Sequence, residues 1–385
     1  VFYPWGRVVS SLEQIFSGNY VKIIPRVDLD SIIAASLLLH NLAERGVEVV
    51  VNFDLKNVLE GGVEGVLLLN LPPPKNAKLH VAPRQQNSTV TGSIVYEMDR
   101  KFGVSVWGKM LAISIGVYDG YDIGKEGFRG VEKSILNELL TKGVIEQELG
   151  FRFWGYRRVS IAKALTRTIN PPLPGLTGRE DSAGRILSEL KIPASVRASE
   201  TSIEQDQNVL RKFIQLLDST IIGDKAFKER LQRRLVGYVY TTTMNGVLLD
   251  LLELSASLSI YMSLLKESPI HLLQLSISQK LLYDFLNIYE ETVDSIAMSL
   301  SSVFEAPNKI IELPDPLVRP ELVIEAVRFI LPGEVKKPLV VRKNGYLMTS
   351  VNELLRAGFP VEEVYSHCDP LQLCWVKEDG SLVKT

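Results

Sequence analysis

The residues best suited to chemistry are Asp28 and Asp30, within the run Arg26-Val27-Asp28-Leu29-Asp30-Ser31. This run joins a short β-rich segment, Val21 to Pro25, to a helical stretch from Ser31 to Arg45. In an open α/β sheet, loops beyond the carboxyl ends of several strands converge on one crevice. Two carboxylates at positions i and i+2 of such a loop can share a hard divalent cation, which prefers oxygen ligands. The same residues have a simpler use: Asp30 or Ser31 can cap the helix while Asp28 answers its positive end.

Further segments bear on the choice. The pattern D-x-D-S-x-x-A-A, read from Asp28 to Ala35, resembles the first motif of the DHH phosphoesterase superfamily. In that motif a histidine usually stands two residues before the first aspartate; here the position is Arg26. The family's second motif is an aspartate ending a later strand, and the matching run Leu67-Leu68-Leu69 ends in Asn70. Its third motif, Asp-His-His, should follow the next strand. The stretch Lys78 to Arg84 has no such triplet, and His80, expected inside the strand, is the candidate remnant. The fourth motif, an aspartate after an apolar segment, fits Ala112 to Asp119 and selects Asp119.

A second likeness is more particular. Asn170-Pro171-Pro172-Leu173-Pro174-Gly175-Leu176-Thr177-Gly178, followed by a helix ending in Leu187-Ser188-Glu189-Leu190, resembles the connector of archaeal RecJ-like proteins. The resemblance covers the first α/β segment and this connector, about half of the chain, and is weaker in the long helices. The last segment is in the right place for the family's DHHA1 domain, but after Lys309 it lacks a glycine-rich substrate motif.

Active family members resemble two-metal phosphodiesterases, in which paired cations stabilise the attacking and leaving oxygens. Such a cluster needs several carboxylates and neutral imidazoles. This sequence keeps Asp28, Asp30 and Asp119 but has Arg26 and Asn70 in place of two ligands, and has lost both third-motif histidines. A guanidinium cannot ligate a cation, and its fixed charge opposes one while pairing with Asp28 or Asp30. No metal centre and no cofactor are expected, with room for one weakly held magnesium or manganese ion. Inactivated archaeal relatives resemble the eukaryotic protein that joins MCM and GINS in the replicative CMG helicase. The resemblance therefore implies a non-catalytic DNA replication factor that binds GINS and supports the MCM ring, in a cytoplasmic, chromosome-associated archaeal replisome. The alternative is a residual DHH-type single-strand exonuclease or phosphodiesterase.

Other features have two readings each. Phe151 to Arg158 mixes aromatics with arginines, so Arg152, Trp154, Arg157 and Arg158 are candidate contacts for weakly bound single-stranded DNA, which stacks on aromatic faces beside cations. The plainer reading is a partly buried aromatic wedge with solvated arginines. Lys228, Arg230, Arg233 and Arg234 form a basic helix face, solvated or turned to a partner. Cys368 and Cys374, near His367, lack zinc-finger spacing and are too few for a disulfide framework, which points to buried thiols in a reducing interior. There is no P-loop and no G-x-S-x-G elbow, and His40, His80, His271 and His367 are scattered over different segments.

The elements that must position these residues are those of an α/β protein. The 385 residues are 46% hydrophobic, 23% charged and 8% aromatic, and the length calls for more than one packed unit. A net charge of -2 and a pI near 6.2 exclude a broad basic field, so any DNA contact would come from a local patch. Short apolar runs at Val47 to Phe53, Gly65 to Leu71 and Ala77 to Val81, separated by helices, suit strands of a largely parallel sheet. Thr91 to Phe102 and Val106 to Val117 read as helices, with a strand within the second as the alternative. From Ser202 to Phe304 the sequence reads as almost wholly helical, with Leu248, Leu251, Leu252, Ser255, Leu258, Met262 and Leu265 on one face. A small α+β segment follows, with strands at Lys309 to Leu313, Leu339 to Thr349 and Leu371 to Val376, and a turn at Asn344-Gly345. The expected units are a DHH-like α/β domain at 1–165, a connector and helical region at 166–305, and a DHHA1-like α+β domain at 306–385. No secretory signal is visible in Val1 to Tyr20, and the most apolar long stretch, Val247 to Leu265, contains Asp250 and Glu253, so a soluble intracellular protein is expected.

Overall fold

The computed structural model describes residues 15, 17–59, 66–75, 80–81, 85–244, 246–264, 267–308, 310–312, 319–332, 338–343, 345–378 and 381–383. Most of the segment Val1 to Tyr20 lies outside them, as do Gly65, Ala77 to Leu79, Leu265, Lys309, Leu313 and Asn344.

The chain opens with β1 (Tyr20–Pro25), α1 (Leu29–Ala43), β2 (Glu48–Val51), α2 (Lys56–Leu59), β3 (Val66–Leu69) and β4 (His80–Val81). All four strands are parallel, in the order β2-β1-β3-β4. Ile23, Ile24 and Leu67 to Leu69 have no exposed surface, as parallel strands covered on both faces require. The chain passes from β1 to β2 on one side and returns to β3 on the other. The carboxyl ends of β1 and β3 therefore flank a switch point, where such sheets leave a crevice. The helices α3 (Val90–Phe102) and α4 (Val106–Tyr118) complete this layer.

A short hairpin, β5 (Asp122–Ile123) and β6 (Gly127–Phe128), leads to α5 (Glu132–Thr141) and β7 (Glu146–Phe151). Next come α6 (Ile161–Arg167), α7 (Glu180–Glu189), α8 (Gln207–Thr220), α9 (Lys225–Leu235), β8 (Val236–Met244), β9 (Val247–Asp250), α10 (Leu251–Leu264), α11 (Ser268–Leu272) and α12 (Leu281–Glu305). This corrects the expectation of near-continuous helix from Ser202 to Phe304. β8 and β9 form an antiparallel sheet with β7, because Val236 to Met244 is rich in β-branched and aromatic residues that fit a pleated surface. Leu248 belongs to β9, while Leu251, Leu252, Ser255, Leu258 and Met262 are buried on α10. That helix is buried almost all round, between α4 and α12. Polar groups at its contact with α4 are paired across the two helices: Ser259 meets the Tyr118 hydroxyl at 2.6 Å, and Ser114 of α4 donates to the Leu251 carbonyl at 2.6 Å.

The chain ends with β10 (Ile310–Glu312), α13 (Glu321–Ile330), β11 (Val340–Lys343), β12 (Tyr346–Ser350), α14 (Val351–Arg356), α15 (Val361–His367) and β13 (Leu373–Val376). The sheet order is β10-β11-β12-β13, parallel in its first pair and antiparallel in the others. This unit shares a hydrophobic core with one face of the first sheet, where Ile24, Leu68 and Val58 meet Leu354, Val364 and Tyr365. Among the described residues no helix is long and apolar enough to cross a membrane.

Candidate functional site

The site lies where β1 ends. Arg26 donates its backbone N–H to the Leu69 carbonyl at 3.0 Å, so the ends of β1 and β3 stay in register up to the acidic loop. Asp28 has extended backbone angles and caps α1, with Oδ1 accepting the Ser31 N–H at 2.7 Å. Its other oxygen, Oδ2, is paired with the Arg26 guanidinium and accepts a 3.3 Å hydrogen bond from the Asn70 amide. Asn70 stands in the left-handed region at φ 57°, which asparagine tolerates better than most residues. Burial works against the charge on Arg26, but Asp28, then Glu325 and Asp30, outweigh it and raise its pKa above the ordinary value. Arg26, Asp28 and Asn70 therefore converge.

Asp30 adds its charge to this cluster but turns its carboxylate toward α3. Its carboxylate accepts the backbone N–H groups of Val90 and Thr91, both at 2.8 Å, and its carbonyl accepts the Thr91 hydroxyl at 2.7 Å. It answers the orphan donors at the start of α3, where Glu132 also accepts the Thr89 N–H at 2.7 Å. Asp119 is the C-cap of α4, is exposed, and does not line the cleft around Asp28. Its neighbour is Arg234, whose guanidinium donates to the Tyr118 carbonyl at 2.5 Å. Desolvation lowers the Arg234 pKa to about 10, with Asp119 opposing that shift. His80 lies in β4, paired with Leu67.

The far wall of the cleft is the C-terminal unit. A cavity of about 120 Å³ lies between Arg26 and Asp28 on one side and Glu325, Arg328, Asn352 and Arg356 on the other. Arg26 reaches across it, donating from Nη1 to Asn352 Oδ1 at 3.1 Å. Gln372, held at φ 63°, donates from Nε2 to the carbonyls of Pro25 at 2.7 Å and Phe53 at 3.1 Å. Its Oε1 accepts the Val27 N–H at 2.9 Å. Tyr365 adds a 2.6 Å bond to the Pro72 carbonyl. Sequence reasoning missed Asn352, Glu325 and Gln372, which no local pattern marks.

Do these residues fit the two cations that the DHH resemblance implies? Both oxygens of Asp28 and both of Asp30 already accept protein donors, and a guanidinium occupies the contact position. Among the described residues no three His, Cys, Asp or Glu side chains are arranged to hold a metal ion. The residues present do not fit the pair.

The candidate DNA-contact residues need correction. Trp154 is 0% exposed, and its indole N–H donates to the Asn170 carbonyl at 3.0 Å. Arg152, also buried, is ion-paired with Asp122 at 2.5 Å and donates to the Tyr238 carbonyl at 2.8 Å. The segment after β7 turns inward, so its aromatic residues pack in the interior and no stacking face is left. Arg157 pairs with Glu204 at 2.6 Å, and Arg158 with Glu253 at 2.6 Å and with Glu290. Their side chains are 13% and 33% exposed. The basic face of α9 is partly used too, since Arg230 and Arg234 both donate to backbone carbonyls. The cysteines also depart from expectation: Cys368 and Cys374 are joined by a disulfide, because the return from α15 into β13 brings their Cα atoms within 4.3 Å.

No protein-family model and no curated protein matches this sequence. The fold has a counterpart among solved structures. The crystal structure of CDC45 from Entamoeba histolytica superposes with a TM-score of 0.58 at 9% sequence identity, covering 86% of this chain and 83% of that one. The chain thus has the mixed α/β fold of CDC45, with a parallel first sheet, many helices and a small C-terminal sheet unit.

Proposed function

We propose that this chain is a non-catalytic, RecJ-like DNA replication factor that binds GINS and supports the MCM helicase ring. The observation that carries the reading is the state of Asp28, which is held by Arg26, Asn70 and the Ser31 N–H rather than left open to cations. A two-metal phosphodiesterase needs those oxygens for its ions. The CDC45 fold supports the same reading, and GINS and MCM enter it through the RecJ-like resemblance. In this proposal the DHH-like unit is 1–165, the connector and helical region 166–305 and the DHHA1-like unit 306–385, and the protein works beside the chromosome.

The test is co-elution of the purified protein with GINS at two salt concentrations, paired with nuclease assays in manganese and magnesium. A near-neutral chain should bind through a shape-specific interface, so the complex should survive moderate salt. Binding to bare single-stranded DNA should be weak and fall steeply as salt rises. Separate elution from GINS, or nuclease activity abolished by Asp28→Ala, would overturn the reading.

A further inference from the structure

We propose that Arg26 is the resident cation of this crevice, and that together with Gln372 it locks the C-terminal unit onto the ends of β1 and β3 as a metal-independent joint. The inference goes beyond the replication reading and needs neither GINS nor MCM for its test.

Three observations carry it. First, Arg26 does what a bridging ion would do. It neutralises Asp28 through Nε and engages the opposite wall through Nη1 and Asn352. A planar guanidinium offers donors in fixed directions and keeps its charge at any ordinary pH. A divalent ion would have to displace it against like-charge repulsion. Second, Asn70 fits the guanidinium and would not fit a metal pair. It removes one negative charge from the crevice and gives Asp28 a donor in place of a competing carboxylate.

Third, the joint extends beyond Arg26. The single amide of Gln372 satisfies two carbonyls and one N–H from the ends of β1 and β2. Of the residues in this set, Val27 and Gln372 line the crevice itself. Behind them Leu354, Val364 and Tyr365 continue the core of Ile24 and Leu68, so the two units meet as one packed layer. An interface that combines a shared apolar core with a satisfied polar seam opens at higher free energy than a bare hinge.

The test uses the full chain. Manganese titration of the wild-type protein, followed by calorimetry and by the paramagnetic signal of free ion, should show no saturable site into the millimolar range. Hydrogen exchange over residues 350–356 and 365–373 should be the same with manganese or with a chelator. Arg26→Ala and Gln372→Ala should each speed exchange there by about tenfold or more, while the exchange of α12 stays unchanged. The double variant Arg26→His, Asn70→Asp should gain manganese binding. Saturable manganese binding by the wild type that slows exchange in these segments would overturn the proposal. So would unchanged exchange in both alanine variants. The wild-type titration requires no variant, so the proposal stays testable if a substitution prevents folding, and its failure would leave GINS binding to be judged separately.

Discussion

Arg26 Nη1 donates to Asn352 Oδ1 at 3.1 Å, although 326 positions of sequence separate the two residues. The same guanidinium pairs with Asp28, so one side chain bridges the first loop of the N-terminal sheet and the first turn of α14. A lysine ammonium is a point charge and cannot span both partners in that geometry. Arg26→Lys should therefore cost about 1 to 2 kcal/mol in urea unfolding despite conserving charge. Adding Asn352→Ala to Arg26→Lys should cost little more, because the bridge is already lost. Fully additive losses would show that the two residues act independently.

Asp30 gives a second prediction. Its two oxygens serve the Val90 and Thr91 N–H groups, and both residues are buried. Asp30→Ala leaves two buried donors unmade, which should cost about 2 to 4 kcal/mol, more than the roughly 1 kcal/mol of an ordinary helix cap. Asp30→Asn keeps one acceptor and should recover part of the loss. Equilibrium denaturation of the three proteins measures the order, and an Asp30→Ala variant as stable as wild type would contradict the geometry.

How much of this was legible in the sequence follows from where each contact lies along the chain. The buried runs Ile23-Ile24 and Leu67 to Leu69 announced a parallel sheet, because strands covered on both faces carry apolar residues without alternation. Asp28 and Asn70 were legible because each follows the carboxyl end of a strand, and parallel strands bring those ends to one edge. The turning of Asp30 toward α3 was not, since its donors lie 60 and 61 residues away. Gln372 and Asn352 carry no local signature, because their roles exist only once the C-terminal unit docks. The β8–β9 hairpin is a different case. Its aromatic and β-branched residues, with Asn245-Gly246 between the strands, were a visible turn signal, masked by the leucine-rich helix that follows.

A third prediction concerns pH. Asp250 is buried at the start of α10, where desolvation, then the Glu253 charge, push its pKa from 3.8 to about 7, against the Leu252 N–H and Arg157. The folded state therefore binds this proton more tightly than the unfolded chain. The contribution is fully present below about pH 4 and is lost as pH rises through about 7. Asp250→Asn keeps the oxygen that accepts the Leu252 N–H at 2.8 Å and removes the charge. The variant should be more stable than wild type by about 1 to 3 kcal/mol near pH 8, with the gap closing toward about pH 4. Thermal unfolding across that range checks the sign, and a gap that widens on acidification would refute it.

The last prediction separates structure from nucleic-acid binding at Trp154. The sequence places this tryptophan among arginines, as a stacking platform would. The structure instead packs it between Tyr118 and Tyr289, with ring centroids 6.4 and 6.5 Å away. Its indole N–H is spent on the Asn170 carbonyl, at the start of the proline-rich connector, and its backbone N–H on Thr168 Oγ1 at 2.9 Å. Trp154 thus ties the segment after β7 to α4, to α12 and to the connector. Trp154→Ala should cost about 3 to 5 kcal/mol through the cavity it leaves. Trp154→Phe fills most of that space but strands the Asn170 carbonyl, and should lose about 1 to 3 kcal/mol. At temperatures where both variants remain folded, neither should change affinity for single-stranded DNA. A stable Trp154→Phe protein with a large loss of DNA affinity would place the indole at a binding surface, contrary to its burial.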